Sequence, residues 1–121
     1  MSTSKKVLVI DDEEGIRESL KLILGEHYEL ILTDSGEQGL DVLANADDIG
    51  LVLLDIKMPQ VSGLDILKQL KEQDPNMNVI MVTGYKSVET AAEAVSLGAC
   101  GYIVKPFKSD EILEKVKKHL K

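Results

Sequence analysis

Short runs of apolar residues alternate with longer amphipathic stretches along the chain, and this alternation repeats five times. Continuous apolar runs indicate strands of a parallel sheet covered on both faces, and the amphipathic stretches between them indicate crossover helices. The pattern predicts strands over 6–11, 28–33, 51–55, 78–83 and 101–104. It predicts helices over 14–25, 36–45, 63–73, 88–97 and 109–120. The expected fold is an α/β doubly wound sheet with helices on both faces.

Three kinds of local feature refine this prediction. The second predicted strand carries Glu29 and is the least apolar, so we expect it at an edge of the sheet. The helix predicted over 88–97 is rich in alanine and buries little area per residue, so we expect it to be the least firmly anchored element. Serines that can cap a helix N-terminus mark four helix starts: Ser35, Ser62, Ser87 and Ser109.

Polar residues collect where the apolar strands end. Asp11 and Asp12 follow the first strand, Asp55 ends the third, Thr83 ends the fourth, and Lys105 follows the fifth. In an open α/β sheet, ligands bind outside the carboxyl ends of the strands. Burying several carboxylates without partners is costly, so their presence there predicts a divalent cation. A cation, a hydroxyl and an ammonium together suit the handling of a phosphoryl group.

Bulk properties narrow the class of protein. A chain of 121 residues is suited to one domain, and we expect no domain boundary within 1–121. The 14 basic and 21 acidic residues give a formal charge of -7, which argues against binding nucleic acid or anionic lipid. The single cysteine, Cys100, has no intramolecular disulfide partner and is expected to pack as a small hydrophobe. No apolar run is long enough to cross a bilayer, and we expect a cytoplasmic location.

Four blocks of residues carry a more specific signal through their order and spacing. They are Val9-Ile10-Asp11-Asp12-Glu13, Leu54-Asp55-Ile56-Lys57-Met58-Pro59-Gln60-Val61-Ser62-Gly63, Val82-Thr83-Gly84, and Tyr102-Ile103-Val104-Lys105-Pro106-Phe107. The combination resembles the receiver domain of two-component response regulators, over essentially the whole chain. This resemblance implies a flavodoxin-like sandwich whose five parallel strands have the order 2-1-3-4-5.

The resemblance also implies a reaction and the residues that perform it. Asp55 would accept a phosphoryl group from a sensor histidine kinase or a phosphotransfer protein, in a reaction that requires Mg²⁺. The metal ligands would be Asp11, Asp12, Asp55 and the backbone carbonyl of Lys57. Lys105 would pair with Asp55 and then with a phosphoryl oxygen, and its peptide bond to the following proline is expected to be cis. The domain would promote its own phosphorylation and slow dephosphorylation, without turning over external substrates.

Signalling is expected to depend on Thr83 and Tyr102. Thr83 would donate its hydroxyl to a phosphoryl oxygen, and Tyr102 would turn inward to fill the space that Thr83 leaves. The face formed by the helix over 88–97, the strand over 101–104 and the helix over 109–120 would then change its population of states. Partners that respond to phosphorylation are expected at this face.

The expected partners are a kinase and an output. The output would be a domain or target protein, in the same chain or in another, and a phosphorylation-dependent homodimer is a further expectation. No direct nucleic-acid or membrane binding is expected of the domain itself. The stretch from Val82 to Ala91 resembles receivers of nitrogen-regulator-type transcription activators, which suggests transcription regulation. Choice of kinase should depend on exposed residues of the first helix, namely Arg17, Glu18 and Lys21.

Other functions remain as alternatives at this point. A phosphatase of the haloacid dehalogenase class needs a second acid two residues after the nucleophile, where this chain has Lys57. A flavodoxin-like carrier needs a loop that cradles phosphate, where this chain has an acidic segment after the first strand. A degenerate receiver would act as a phosphorylation-independent interaction module. If the site is active, Lys57 and Tyr85 are expected to shield the acyl phosphate from water.

Overall fold

The computed structural model describes residues 5–84 and 86–120, and it contains the ten elements that the apolar pattern predicts. The strands are β1 (Lys6–Ile10), β2 (Leu30–Thr33), β3 (Ile49–Leu54), β4 (Val79–Thr83) and β5 (Gly101–Val104). The helices are α1 (Glu14–Leu24), α2 (Gly36–Asn45), α3 (Gly63–Gln73), α4 (Val88–Ser96) and α5 (Ser109–His119). Their ends agree with the predicted ones to within two residues, as is usual for element boundaries.

The five strands form one parallel sheet of order β2-β1-β3-β4-β5, which confirms the predicted fold. β2 lies at an edge, as its charged composition predicted. Ile10 at the end of β1 is level with Thr33 of β2 and with Leu54 of β3. The carboxyl ends of these strands therefore meet at one rim, and the residues that follow them lie close together.

Alternate residues of the strands point to opposite faces, and each face is covered by its own helices. The first core, between the sheet and helices α1 and α5, contains Val7, Val9, Leu20, Leu24, Leu51, Leu53, Ile80, Val82, Ile103, Ile112 and Val116. The second core, under α2, α3 and α4, includes Leu8, Ile10, Val52, Leu54, Ile66, Leu67, Leu70, Val79, Met81 and Ala94. Burial on both faces explains why the central strands are apolar at nearly every position.

Three of the four predicted serine caps are present. The hydroxyls of Ser35, Ser62 and Ser87 accept backbone N–H bonds from the first turns of α2, α3 and α4. The prediction for Ser109 was wrong, because Ser109 is the first residue of α5 and Lys108 occupies the N-cap without a side-chain bond. A capping serine has extended backbone dihedrals, which at this helix belong to Lys108.

Helix α4 is held by little buried surface. Ala94 is its one fully buried residue, whereas the side chains of Val88 and Val95 are 83% and 61% exposed. The small methyl of Ala94 contributes less burial free energy than the leucines that anchor α1 and α3. The fully buried residues of α2 are the glycines Gly36 and Gly39, so burial does not rank α4 below α2, and the expectation that α4 is the least firmly anchored element stays a prediction.

Two further expectations can be compared with the structure. Cys100 is exposed, so the prediction that it packs as a small hydrophobe was wrong. It lies just before the edge strand β5, and its backbone N–H donates a 2.8 Å bond to the carbonyl oxygen of Val79. None of the helices among the described residues has the length and apolar character needed to cross a membrane.

Candidate functional site

The ends of β1 and β3 place two carboxylates inside the protein. Asp11 and Asp55 are each only 2% exposed. Their backbones continue the sheet hydrogen bonding past the last strand residues. The Asp11 N–H donates to the carbonyl oxygen of Thr33 (3.1 Å), and the Asp55 N–H donates to the carbonyl oxygen of Ile10 (3.0 Å). Both side chains are therefore fixed by the sheet itself rather than by a mobile loop.

Asp12 completes an acidic cluster with these two residues. Carboxylate oxygens of Asp11, Asp12 and Asp55 lie within 4.8 Å of one another. Oδ1 of Asp12 is buried and has no hydrogen-bond partner among the described residues. A buried carboxylate oxygen without a partner is costly, and hard divalent cations bind to such oxygens. The donor set and the unpaired oxygen fit a cation of the Mg²⁺ type.

Lys105 reaches the cluster from the end of β5. Its Nζ lies 2.7 Å from Glu13 Oε1, 2.9 Å from Asp11 Oδ2 and 3.3 Å from Asp55 Oδ2. The Lys105 backbone N–H donates a 2.8 Å bond to the carbonyl oxygen of Thr83, which fixes the base of the side chain beside β4. The peptide bond that follows Lys105 is cis, as the resemblance implied.

Burial and charge act on these groups in opposite directions. Burial raises the pKa of Asp11, and the bonds that it accepts from Glu13 N–H and Lys105 only partly offset this. Burial would lower the pKa of Lys105, but contacts with Glu13 and Asp11 outweigh it and raise that pKa. The two directions are compatible because one ammonium faces three carboxylates, whereas each carboxylate shares that single ammonium.

Thr83 and Tyr102 lie on neighbouring strands, with Tyr102 level with Met81, two residues before Thr83. Thr83 is fully buried as the last residue of β4. Tyr102 is half-buried on β5 and packs against the core under α2, α3 and α4. The pKa of Tyr102 is raised, mainly by burial and also by the negative charge of Asp55. The charge of Asp55 thus disfavours ionisation of Tyr102 in the same direction as burial does.

An open cleft of about 640 Å³ gives solvent and ligands access to the cluster. It is lined by Asp12, Glu13, Asp55, Lys57, Met58, Pro59, Gly84 and Lys105. The cleft brings together clustered carboxylates and an ammonium, and Gly84 in its lining directly follows the buried Thr83. That combination can bind a divalent cation and an anionic group side by side.

Comparison with known proteins now assigns the family. Residues 7–117 match the family model described as "Response regulator receiver domain". The chain belongs to this family. It is a receiver domain of the kind found in two-component response regulators, whose members accept phosphoryl groups and interact with histidine kinases and output domains.

Relatives of the receiver domain differ in length. Sporulation initiation phosphotransferase F of Bacillus subtilis is 39% identical over 118 residues, which are 97% of this chain and 94% of that protein. Response regulator protein FleR of Pseudomonas aeruginosa is 38% identical over 116 residues, which are 94% of this chain but only 24% of FleR. The chain thus spans nearly the whole of one relative and about a quarter of the other.

A solved structure gives the same assignment. The receiver domain of NtrX from Brucella abortus superposes on this one with a TM-score of 0.88 at 33% identity, covering 95% of this chain and 98% of that one.

Sequence reasoning missed the contacts that two residues make at this receiver site. Glu13 makes the shortest contact of Lys105, yet it appeared in the sequence only as part of an acidic segment. Arg17 was expected to be an exposed kinase contact, but it is half-buried and its guanidinium donates a 2.8 Å bond to the carbonyl oxygen of Asp11. A basic residue in the first turn of the helix that follows an acidic strand end was the available signal. Glu18 and Lys21 are exposed, as expected.

Of the two residues expected to shield the site, Lys57 lies within the described residues and Tyr85 does not. Lys57 has an exposed side chain beside the cleft, and its backbone N–H is 3.3 Å from Asp55 Oδ1. Tyr85 lies outside the described residues. The shielding role therefore stays a prediction for both.

Proposed function

We propose that this receiver domain takes a phosphoryl group from a phosphorylated histidine onto Asp55. The observation that carries the proposal is the position of the Asp55 carboxylate. It is buried, lies 3.3 Å from the Lys105 ammonium, and shares a cluster with two other carboxylates at the rim of an open cleft. A carboxylate that was only structural would not need a second and a third acid beside it.

The reaction is a transfer between two nucleophiles. An oxygen of Asp55 attacks the phosphorus atom, the bond between phosphorus and the histidine nitrogen breaks, and the imidazole leaves with the electron pair and takes up a proton from solvent. The product is an aspartyl phosphate. Lys105 holds Asp55 on one side and binds a phosphoryl oxygen of the product, and the Thr83 hydroxyl donates to another.

Mg²⁺ is the cofactor that we propose for this site. Asp11, Asp12 and Asp55 would hold it, together with the backbone carbonyl of Lys57. When bound, Mg²⁺ neutralises phosphoryl charge and keeps the donor in line for attack. The buried unpaired Oδ1 of Asp12 supports this assignment, because a bound cation would supply its missing partner.

Output would follow from the coupling between Thr83 and Tyr102. Movement of the Thr83 hydroxyl toward the phosphoryl group vacates buried space, and Tyr102 turns inward to fill it. The face formed by α4, β5 and α5 then shifts its population of states. Two observations support this. The pKa of Tyr102 is raised by burial and also by the charge of Asp55, and Ala94 is the one fully buried residue of α4.

The partners that we propose are a sensor histidine kinase or phosphotransfer protein and an output domain or target. Transcription control of the nitrogen-regulator type is a proposal for the output, supported by the similarity to FleR and to the receiver of NtrX. A phosphorylation-dependent homodimer, a single domain over 1–121, and a cytoplasmic location belong to the same proposal. Slow dephosphorylation by the domain itself is expected.

The deciding experiment measures intact mass after incubation with acetyl phosphate and Mg²⁺. We expect one phosphoryl adduct on the wild-type chain, none on Asp55→Asn, and none when a chelator is present. Asp47→Asn is the matched control, because Asp47 is exposed and lies before β3, at the opposite end of that strand from Asp55. It should load as the wild type does.

Other outcomes would point elsewhere. An adduct that persists on Asp55→Asn would move the acceptor to another residue. A folded, Mg²⁺-binding wild-type chain that takes up no phosphoryl group from acetyl phosphate or from phosphoramidate would favour the phosphorylation-independent interaction module.

A further inference from the structure

Glu13 and Lys105 form the shortest ion pair of the site, although 92 positions separate them in the sequence. The distance is 2.7 Å, against 2.9 Å from Lys105 to Asp11 and 3.3 Å to Asp55. The Lys105 side chain is 10% exposed, whereas that of Glu13 is 59% exposed. Glu13 therefore reaches in from the solvent side to cover an ammonium that is otherwise enclosed.

Helix capping does not explain the orientation of the Glu13 side chain. Glu13 is the N-cap residue of α1, but its side chain makes no capping bond, and glutamate is not among the favoured cap residues. Its backbone is already fixed, because its N–H donates to Asp11 Oδ1 (2.9 Å) and its carbonyl accepts from Ile16 and Arg17 (3.2 and 3.1 Å). The contact with Lys105 is thus the one described role of the carboxylate.

The three donors of the Lys105 ammonium are all directed to carboxylates. A lysine has three N–H bonds, and Glu13, Asp11 and Asp55 lie within ion-pair distance of them. A phosphoryl oxygen that arrives at Asp55 must replace one of these partners. Asp11 and Asp55 are buried and fixed by the sheet, so Glu13 is the partner that can leave by rotating into solvent.

The balance of charges at the site also singles out Glu13, as the carboxylate without a balancing positive charge. A divalent cation and the Lys105 ammonium together balance Asp11, Asp12 and Asp55. Glu13 then adds a negative charge at the mouth of the cleft through which an anionic phosphodonor must enter. Like charges at close range slow such an encounter, and the effect is weakened by salt.

We propose that Glu13 is a positioning residue that holds Lys105 in a resting state and slows the loading of Asp55 by anionic phosphodonors. The inference rests on the proposed function and deepens it. A small anionic donor must displace Glu13 from Lys105 within a brief encounter, whereas a donor presented by a docked partner stays near the site for longer. Glu13 thereby lowers background phosphorylation by small phosphodonors.

The test compares Glu13→Gln with Glu14→Gln. Both substitutions remove one negative charge, but Glu14 is exposed in the first turn of α1 and lies outside the lining of the cleft. The rate of phosphoryl uptake from acetyl phosphate at saturating Mg²⁺ is measured by intact mass. We expect Glu13→Gln to load about two- to fivefold faster than Glu14→Gln, the range that a partly exposed ion pair supports.

Salt dependence separates this role from a structural one. The advantage of Glu13→Gln should shrink between low salt and about 1 M ionic strength, where the Debye length falls to roughly 3 Å. A change in local folding would persist in salt and would also lower the thermal midpoint, which is recorded for all three chains.

Two results would overturn the inference. Equal loading rates for Glu13→Gln and Glu14→Gln would show that the contact has no influence on Lys105, and slower loading of Glu13→Gln would show that Glu13 assists the reaction. If the wild-type chain itself took up no phosphoryl group, the proposed function would fall first, and this inference with it.

Discussion

Gly63, the first residue of α3, lies directly against the backbone of Asp55. A Cβ atom at position 63 would overlap with the carbonyl oxygen of Asp55 and approach the Cα atom of Ile56. The amide of Gly63 also donates a 2.7 Å bond to the carbonyl oxygen of Ile56. The loop after β3 therefore folds back over Asp55 so closely that only a residue without a side chain fits.

This contact predicts that Gly63→Ala is strongly destabilising. The obstructing atoms are backbone atoms of a buried strand end, which cannot move as a flexible side chain does, so we expect a loss of roughly 2–4 kcal/mol in the free energy of unfolding. Chemical denaturation measures it. The matched control is Gly15→Ala, since nothing lies within 4 Å of a Cβ atom at that exposed helical position. It should be neutral or stabilising by up to about 1 kcal/mol. Equal effects of the two substitutions would contradict this account.

The buried carboxylate of Asp11 should make the stability of the folded state depend on pH and on bound metal. Its pKa is raised by burial, so the folded state binds a proton more readily than the unfolded state. The charged carboxylate therefore costs stability at neutral pH, and that cost disappears as the pH falls below the ordinary range of an aspartate. We expect metal-free Asp11→Asn to be more stable than the wild type at pH 7.

Thermal unfolding with and without Mg²⁺ checks this expectation. The advantage of Asp11→Asn should vanish near pH 3 and should reverse when Mg²⁺ is added, because the wild type gains a ligand for its carboxylates. Asp47→Asn serves as the control for loss of one exposed acid. A metal-free Asp11→Asn protein less stable than the wild type at pH 7 would show that the ion pair with Lys105 outweighs burial.

The Lys57 side chain is expected to lengthen the lifetime of the phosphorylated form. Its exposed side chain lines the cleft next to Asp55, where a cation can pair with the phosphoryl group and obstruct water. We expect Lys57→Ala to hydrolyse its aspartyl phosphate faster by up to about fivefold, the range of an exposed ion pair. The rate is followed by intact mass after removal of the phosphodonor. Lys68→Ala, an exposed lysine on α3, is the control. An unchanged rate for Lys57→Ala would remove the shielding role.

The Thr83 hydroxyl is expected to couple phosphorylation at the site to a change in α4. Because α4 has only Ala94 fully buried, its amides should respond to a change of state at the sheet. We expect phosphorylation to alter hydrogen exchange over 88–96 in the wild type. Thr83→Ala should still load Asp55 but should lose most of that response, as should Tyr102→Ala. A full response in Thr83→Ala would show that the signal does not pass through the hydroxyl.

Local patterns in the sequence were enough for the architecture. The alternation of apolar runs and amphipathic stretches predicted all ten elements, and Glu29 predicted that β2 is an edge strand. The strand ends also predicted which side chains meet, because the carboxyl ends of parallel strands share one rim. The predictions for Ser109 and Cys100 were wrong because a shift of one position changes the environment of a residue. At the start of α5 it separates the N-cap from the first helical residue, and beside the edge strand β5 it separates a buried from an exposed side chain.

The tertiary structure alone decided the finer arrangement of the site. Local periodicity in the sequence does not indicate three contacts of the site. They are the ion pair of Glu13 with Lys105, the bond from Arg17 to Asp11, and the close approach of Gly63 to Asp55. Local periodicity reports which face of an element is buried, and it thereby determines strands, helices and the rim where polar residues gather. Which donor takes which acceptor at that rim depends on distances between loops far apart in sequence, and those distances exist only once the sheet has formed.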